Sequence, residues 1–214
     1  MFEDTYATMV RRRRIFVLIL AFGLLGRAAF GQSRRPSLFA QGGGAFHEEN
    51  NLQPGVETGF GFSYPLGKRF SLSLEYIYWK SESKEFRTKL YNGTLTLSPV
   101  LLSLQFDFHR NTFFFPYGFV GGGYLFSRFR IGNYVSIPEV KIDQRVDEGP
   151  AFYFGLGARI AFSETWSFSS EAAYLIRNAS GETIISDMNR GVSKEKIWVN
   201  IHVVFLKFGL RFYF

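Results

Sequence analysis

The chain contains no cysteine among its 214 residues. It therefore forms no disulfide and offers no thiolate to a metal site, no cysteine nucleophile and no N-terminal cysteine for lipid attachment. Charged residues are scarce, at 20% of the sequence, and the mean hydropathy is near zero. Together with 22 glycines, this composition argues against a disordered chain. A single domain is the simplest arrangement for this length.

Aromatic residues are the abundant class instead. The chain has 26 Phe, 11 Tyr and 3 Trp, which together make up 19% of the residues. This balance of aromatic and charged residues is unusual for a soluble enzyme.

The N-terminus has the pattern of a secretory signal. Four arginines at 11–14 precede an apolar run at 15–25, which is too short to span a membrane. Ala29 and Gly31 have the spacing that signal peptidase requires, so the sequence predicts a signal peptide at 1–31, cleaved before Gln32. A short uncleaved anchor is the alternative.

Cleavage there would also change the charge. Removal of residues 1–31 takes away five arginines, Glu3 and Asp4, and lowers the formal net charge from +7 to +4. Without a basic cluster interleaved with aromatic residues, no nucleic-acid binding is expected.

Past residue 31, no stretch approaches 18 apolar residues and none repeats at helical spacing. Apolar and polar residues alternate instead, most clearly in the segment 70–79. Because alternate side chains of a strand point to opposite faces, one face of each segment is apolar. The alternation predicts eight strands, at 37–46, 56–65, 69–80, 90–108, 113–127, 151–162, 166–177 and 197–214.

The connections between these strands alternate in length. Residues 65–68, 109–112 and 163–165 form short turns, and residues 47–55, 81–89, 128–150 and 178–196 form longer, charged loops. Short periplasmic turns and long external loops are typical of membrane barrels. The sequence thus predicts an all-β fold, an eight-stranded antiparallel up-and-down transmembrane β-barrel over residues 32–214, in the bacterial outer membrane.

The apolar strand faces carry large aromatic residues, and the opposite faces carry Gly, Ser, Glu and Arg. A soluble core would have to close-pack these rings, whereas lipid can accept them on the outer surface. A soluble lipocalin-like barrel is the alternative. Residues at strand ends match the aromatic girdles of membrane barrels: Tyr64, Phe70, Tyr78, Phe162, Trp166 and Trp198.

Two strands change parity. In residues 91–108 the apolar set moves from odd to even positions, with Pro99 at the change. Proline cannot donate to a ladder, so we expect a β-bulge at Pro99 that keeps one face towards lipid. The last strand shifts similarly near Val203 and Val204, without a residue-specific explanation.

Strand parity also predicts the side chains that face the interior. Near the extracellular end they form a candidate site for an apolar ligand: Ile77, Trp79, Tyr124, Phe126, Tyr153 and Leu175. Lower down they are polar or charged: Glu75, Gln105, Asp107, Arg159, Glu171, Lys207 and Arg211. Buried charges must be paired, and we expect Glu171 to pair with Arg211 on the neighbouring last strand.

Two roles fit such an interior. It can be a structural plug, or its apolar layer can capture a hydrophobic ligand above a polar gate, with lateral exit to lipid. No catalytic residues, metal or cofactor are expected: barrels that deacylate lipid A use a His and a Ser two residues apart, but His202 has Val204 at that spacing. His47 and His109 lie in a predicted loop and turn, without a matching acid and nucleophile.

Basic residues gather in the predicted outer loops or at their edges. They are Lys80, Lys84, Arg87, Lys89, Arg128, Arg130, Lys141, Arg145, Arg190, Lys194 and Lys196. They can contact lipopolysaccharide phosphates or an external partner. Acidic residues are interleaved with them, so a mixed, solvated surface is the alternative.

The chain ends in the segment Lys207-Phe208-Gly209-Leu210-Arg211-Phe212-Tyr213-Phe214. It resembles the assembly signal of bacterial outer-membrane barrels, with polar Lys207, then Gly209, then the aromatic residues Phe212 and Phe214. The resemblance implies that the outer-membrane assembly machinery reads the last strand.

Residues 98–108 (SPVLLSLQFDF) and 115–124 (FPYGFVGGGY) look like the fourth and fifth strands of the OmpW family. The broader set of eight-stranded OmpA-like barrels is also similar. OmpW proteins are linked with passage of small hydrophobic molecules, so the resemblance implies such a role, or a structural role in the envelope. A surface-binding or adhesion barrel that uses its extracellular loops is the alternative.

Overall fold

The computed structural model describes residues 35–48, 52–83, 93–108, 114–131, 140–187 and 191–214. These residues form the strands β1 (Ser37–His47), β2 (Gly55–Pro65), β3 (Phe70–Ser83), β4 (Gly93–Asp107), β5 (Phe114–Ile131), β6 (Val140–Val146), β7 (Gly149–Ala161), β8 (Trp166–Asp187) and β9 (Gly191–Tyr213). In this part of the chain, no helix is long and apolar enough to cross a membrane. The predicted signal peptide lies outside the described residues.

Eight of the strands close into a ring. β1 pairs with β2 and with β9, and the antiparallel order continues from β2 through β3, β4, β5, β7 and β8 to β9. A sheet in lipid must pair its backbone groups internally, and closure of the ring achieves this. The predicted eight-stranded up-and-down barrel is confirmed.

The two faces of the ring differ as the alternation predicts. On β3, for example, Ser71, Ser73 and Glu75 point inward and are buried, whereas Phe70 points outward and is 45% exposed. The outer face is apolar around the ring, with Phe60, Leu156 and Phe208 each more than half exposed. Of the predicted girdle residues, Tyr64, Phe70, Tyr78, Phe162 and Trp166 lie on this outer face.

The predicted third and fourth loops are partly strand, which corrects the sequence-based boundaries. β8 and β9 continue as a paired hairpin to Asp187 and Gly191, and β6 pairs with β8 from Val140 to Val146. Charged residues predict a loop here, but residues 194–196 are exposed strand residues, because both faces of the hairpin tip contact water. We call β6, residues 178–187 of β8 and residues 191–200 of β9 the extracellular sheet. Trp198, a predicted girdle residue, belongs to the extracellular sheet.

The expected bulge at Pro99 is absent. β4 pairs with β5 without a change of register from Gly93 to Asp107. Leu97 therefore points inward and is fully buried, whereas Leu102 points outward. The apolar residues change parity because the barrel interior itself is apolar in its upper half and polar in its lower half.

The same explanation holds for the last strand. β9 keeps one register with β8 along its whole length. Its upper inward residues, Val203 and Phe205 among them, are buried apolar groups, and its lower inward residues are Lys207 and Arg211.

Candidate functional site in the barrel interior

The lower half of the interior, towards the short turns, holds an ion network centred on Lys207. Its ammonium group lies 2.9 Å from a carboxylate oxygen of Glu75 and 2.9 Å from one of Glu171. It also donates to the Tyr153 hydroxyl at 2.5 Å, and the Tyr117 hydroxyl donates to Glu171 at 2.5 Å. Charge-assisted hydrogen bonds of this kind compensate the cost of burying the charges.

A second ion pair lies beside this network. Arg159 contacts Asp107 at 2.7 Å, and the Gln105 amide donates to the same carboxylate at 2.8 Å. The Arg159 guanidinium also lies 4.8 Å from the ring centroid of Tyr117. The predicted inward position of the lower set is thus observed for each of its members: Glu75, Gln105, Asp107, Arg159, Glu171, Lys207 and Arg211. Tyr117 was not among the predicted residues but is buried beside them, and we call all eight the polar layer.

The expected pairing of Glu171 with Arg211 is wrong. In the β8–β9 ladder, Glu171 lies directly opposite Lys207, and Arg211 lies opposite Ser167. The guanidinium of Arg211 instead contacts the Ser37 hydroxyl at 3.4 Å and stacks over the Phe39 ring at 4.6 Å. Glu171 therefore pairs with the cation directly opposite it in the ladder, which is Lys207.

Above the polar layer the interior is apolar and filled. Of the predicted ligand residues, Ile77, Trp79, Tyr153 and Leu175 point inward and are at most 1% exposed. We call the upper set the apolar chamber; it comprises Ile77, Trp79, Leu95, Leu97, Leu101, Leu125, Leu175, Val203 and Phe205. Tyr153 lies at its floor, because its hydroxyl reaches the polar layer.

Two predicted ligand residues are wrong. Tyr124 and Phe126 point outward and are 44% and 39% exposed, and Leu125 between them is the inward residue. The glycine run 121–123 precedes them and carries no side chains from which parity can be read. Tyr117 and Phe119, before the run, are buried, and they set the true parity of β5.

A small cavity lies within the polar layer. It is lined by Phe39, Ser73, Glu75, Ser103, Gln105, Phe119, Glu171 and Arg211. The volume open to the centre of a water molecule is about 10 Å³, close to what a single water requires.

The wall of the apolar chamber has a weak point between β3 and β4. Ladder pairs flank it at Tyr76–Val100 and at Trp79–Leu97, but the intervening residues 77–78 and 98–99 do not pair with each other. Pro99 has no backbone N–H to donate, which accounts for the interruption. We call residues 77–78 and 98–99 the β3–β4 gap.

The ring of Trp79 borders this gap. It packs edge-on against Phe205, with ring centroids 5.0 Å apart. Its indole N–H makes no hydrogen bond to the described residues. No polar contact therefore fixes the ring in this part of the chain.

Glu57 is a buried carboxylate that the sequence-based site omits. It lies on β2, opposite Trp79 of β3, and is 0% exposed. Neither of its carboxylate oxygens has a hydrogen-bond partner among the described residues. The alternation of Glu57 with outward Thr58 and Phe60 was a sufficient signal to find it.

His47 is the last residue of β1 and not part of a loop. Its Nε2 lies 2.5 Å from the Ser81 hydroxyl at the upper rim. Within the described part of the chain, no group hydrogen-bonds its Nδ1, and Ser81 is 1% exposed. A catalytic triad needs both an orienting acid and an accessible nucleophile, and the described residues around His47 provide neither. His109 lies outside the described residues.

Above β1, the first outer connection is tied to the last two strands. The Glu48 carboxylate accepts hydrogen bonds from the Tyr174 hydroxyl at 2.6 Å and from His202 Nδ1 at 3.1 Å. The hydrogen bond from Tyr174, followed by that from His202, lowers the pKa of Glu48. The contact fixes the chain where it leaves the barrel.

No protein-family model matches the chain, and no curated protein matches it in sequence. Solved structures do match. The outer membrane protein OprG from Pseudomonas aeruginosa superposes with a TM-score of 0.62 at 16% identity, over 85% of this chain and 98% of OprG. A major outer membrane protein from Thermus thermophilus gives 0.61 at 11% identity, over 86% and 100% of the two chains.

Neisserial surface protein A is a third similar structure, with a TM-score of 0.53 at 13% identity, over 84% of this chain and 96% of that protein. These similarities cover 84–86% of the chain. The chain therefore has the fold of the eight-stranded bacterial outer-membrane β-barrels.

Proposed function

We propose that the protein lies in the bacterial outer membrane and lets small apolar molecules pass from outside into the lipid through the side of the barrel. The observation that carries the proposal is the position of the β3–β4 gap beside the apolar chamber. The fold and the continuous apolar outer face support the location. The predicted signal peptide and the C-terminal assembly signal belong to the same proposal.

Passage along the whole barrel axis is disfavoured. The polar layer places six buried charged groups across the path to the periplasm: Glu75, Asp107, Arg159, Glu171, Lys207 and Arg211. An apolar molecule would have to separate groups that are bonded at 2.9 Å or less, without replacing any of their hydrogen bonds. A molecule that enters from above therefore leaves sideways.

The β3–β4 gap provides the sideways exit. An opening elsewhere in the ring would break a continuous ladder, but between residues 77–78 and 98–99 the β3–β4 ladder is already interrupted. The chamber is filled by Trp79 and its neighbours, so a ligand must displace a side chain. Trp79 is suited to this movement because its indole N–H is not held by a described residue.

Uptake of the fluorescent apolar probe N-phenyl-1-naphthylamine by cells that express the protein tests the proposal. Pro99→Ala restores a ladder N–H and should slow uptake, whereas Trp79→Ala empties the chamber and should speed it. Pro116→Ala, on the β5–β7 ladder away from the gap, is the matched control and should leave uptake unchanged. Equal uptake by the Pro99→Ala variant and the parent protein, at equal amounts of folded barrel, would overturn lateral passage.

A second candidate function is binding to an external surface or partner. The extracellular sheet favours it, because Trp198 is 74% exposed and Val192 is 65% exposed on it. Exposed apolar groups on a rigid sheet are typical of contact surfaces. Replacement of both residues by Ser should then reduce attachment of expressing cells and leave probe uptake intact.

A further inference from the structure

The outer face of β3, β4 and β5 carries basic side chains that the ladder brings together. Lys80 lies opposite Thr96, and Thr96 lies opposite Arg128 on the next strand. Arg130 lies one row higher, opposite Thr94. The three cationic side chains are exposed. We call Lys80, Thr96, Arg128 and Arg130 the basic row.

Apolar rings lie directly below the basic row on the same strands. Tyr78 precedes Lys80, whose ammonium group is 5.7 Å from the ring centroid of Tyr78. On β5, the rings of Tyr124 and Phe126 are 5.0 Å apart, with Phe126 two positions below Arg128, and both face outward. The surface therefore changes from aromatic to cationic within one row, as at the boundary between acyl chains and headgroups.

The spacing suits a phosphate group. Neighbouring strands lie about 4.8 Å apart, so Lys80 and Arg128 are separated by about 10 Å across Thr96. Both side chains are long enough to meet over Thr96, whose hydroxyl can donate a third hydrogen bond. The guanidinium can bind two phosphate oxygens at once, which an ammonium group cannot do.

Two other exposed basic groups lie beside carboxylates. Lys194 lies 3.7 Å from Glu182, and Arg145 lies 3.2 Å from Asp143. Among the described residues, no carboxylate forms a salt bridge with Lys80, Arg128 or Arg130. The acidic residue that shares their rows is Glu82, opposite Thr94.

We propose that the basic row binds a phosphate of lipopolysaccharide in the outer leaflet, while its acyl chains lie on Tyr78, Tyr124 and Phe126. The cations select a phosphorylated ligand, and the rings beneath them select an acylated one. A free phosphate would use only the first of these features. The site does not depend on passage through the barrel.

Binding of fluorescently labelled lipid A to the full-length protein in phosphatidylcholine vesicles tests the proposal. The variant Lys80→Gln/Arg128→Gln/Arg130→Gln should weaken binding by about tenfold or more, because charge-assisted bonds are lost. The matched control Arg145→Gln/Lys194→Gln/Lys196→Gln removes the same charge from the extracellular sheet and should change binding by less than about twofold. Glu82→Gln should strengthen binding.

The competitors identify the occupant. Unlabelled lipid A should displace the probe, whereas dephosphorylated lipid A, inorganic phosphate and phosphatidylglycerol should displace it weakly. Equal displacement by phosphatidylglycerol or phosphate would overturn a lipopolysaccharide site in favour of a general anion site. Equal loss of binding in both triple variants would overturn the placement on β3–β5. The heat-dependent gel shift of each variant shows that its barrel is folded.

Discussion

Lys207 lies directly opposite Glu171 in the β8–β9 ladder, and its ammonium group is 2.9 Å from the Glu171 carboxylate. The same ammonium group is 2.9 Å from Glu75 on the far wall of the barrel. One cation therefore serves two carboxylates and links β9 to both β8 and β3. The polar layer depends on this residue more than on either of its arginines, because each carboxylate would otherwise be buried without its ammonium partner.

Replacement of Lys207 by Met should destabilise the barrel strongly. Removal of one partner from a buried ion pair costs about 3–5 kcal/mol, and here two carboxylates lose their cation. The measurement is the urea concentration at which the protein in detergent loses its heat-dependent gel shift. Lys194→Met, at a position that is 61% exposed, is the matched control and should change the midpoint little. A Lys207→Met midpoint close to that of the control would contradict the network.

Glu57 and Glu75 should respond in opposite directions to the same substitution. Glu57 is buried without a hydrogen-bond partner among the described residues, so Glu57→Gln removes an uncompensated charge and should raise the free energy of unfolding by about 1–3 kcal/mol. Glu75 accepts from Lys207 and Gln41, so Glu75→Gln should lower it. Urea unfolding of the two variants in one detergent provides the comparison. A loss of stability in both would show that Glu57 has a partner.

The sequence was sufficient for the ring and for the inward position of most interior residues. Alternation with period two depends only on strand geometry, so it places Trp79 and Lys207 without knowledge of their neighbours. It fails where side chains are absent, as at the glycine run before Tyr124, or where both faces of a strand contact water, as in residues 191–196. Alternation also does not predict which buried charges pair, because the ladder register that sets Lys207 opposite Glu171 depends on the whole ring.

Pro99 shows a different limit. A bulge explains the change of parity around it only if each strand has one apolar face. The interior is itself apolar in its upper half, so both faces of β4 carry apolar residues at different heights. Only the observed register separates these two explanations.

The corrected parity of β5 can be tested in solution because the chain has no native cysteine. Tyr124→Cys should react with a lipid-soluble maleimide in vesicles, since the side chain points outward. Leu125→Cys should be protected, because Leu125 is 0% exposed in the apolar chamber. The ratio of the two labelling rates is the measurement. Faster labelling at 125 than at 124 would reverse the assignment.

The predicted signal peptide defines the mature N-terminus. Signal peptidase should cleave before Gln32, so the intact mass of protein purified from outer membranes should correspond to residues 32–214. A change of Ala29 to a bulky residue should cause the precursor to accumulate, because the enzyme requires small side chains there. A membrane-inserted protein that retains residues 1–31 would instead support the uncleaved anchor.

Deletion of Phe214 should reduce the amount of assembled barrel. In the folded ring, the Phe214 amide donates to the Pro36 carbonyl at 3.1 Å, while the side chain is 54% exposed on the outer face. The aromatic side chain therefore contributes little buried contact to the finished barrel, and its proposed role is to be read by the assembly machinery. Phe208→Ala is the matched control, since Phe208 is a similarly exposed aromatic residue of β9 outside the terminal position. We expect the deletion to lower the heat-modifiable protein in the membrane fraction of cells, and to leave refolding of the purified chain in detergent at the level of the control. An equal loss in both assays would assign Phe214 to the stability of the barrel and not to its recognition.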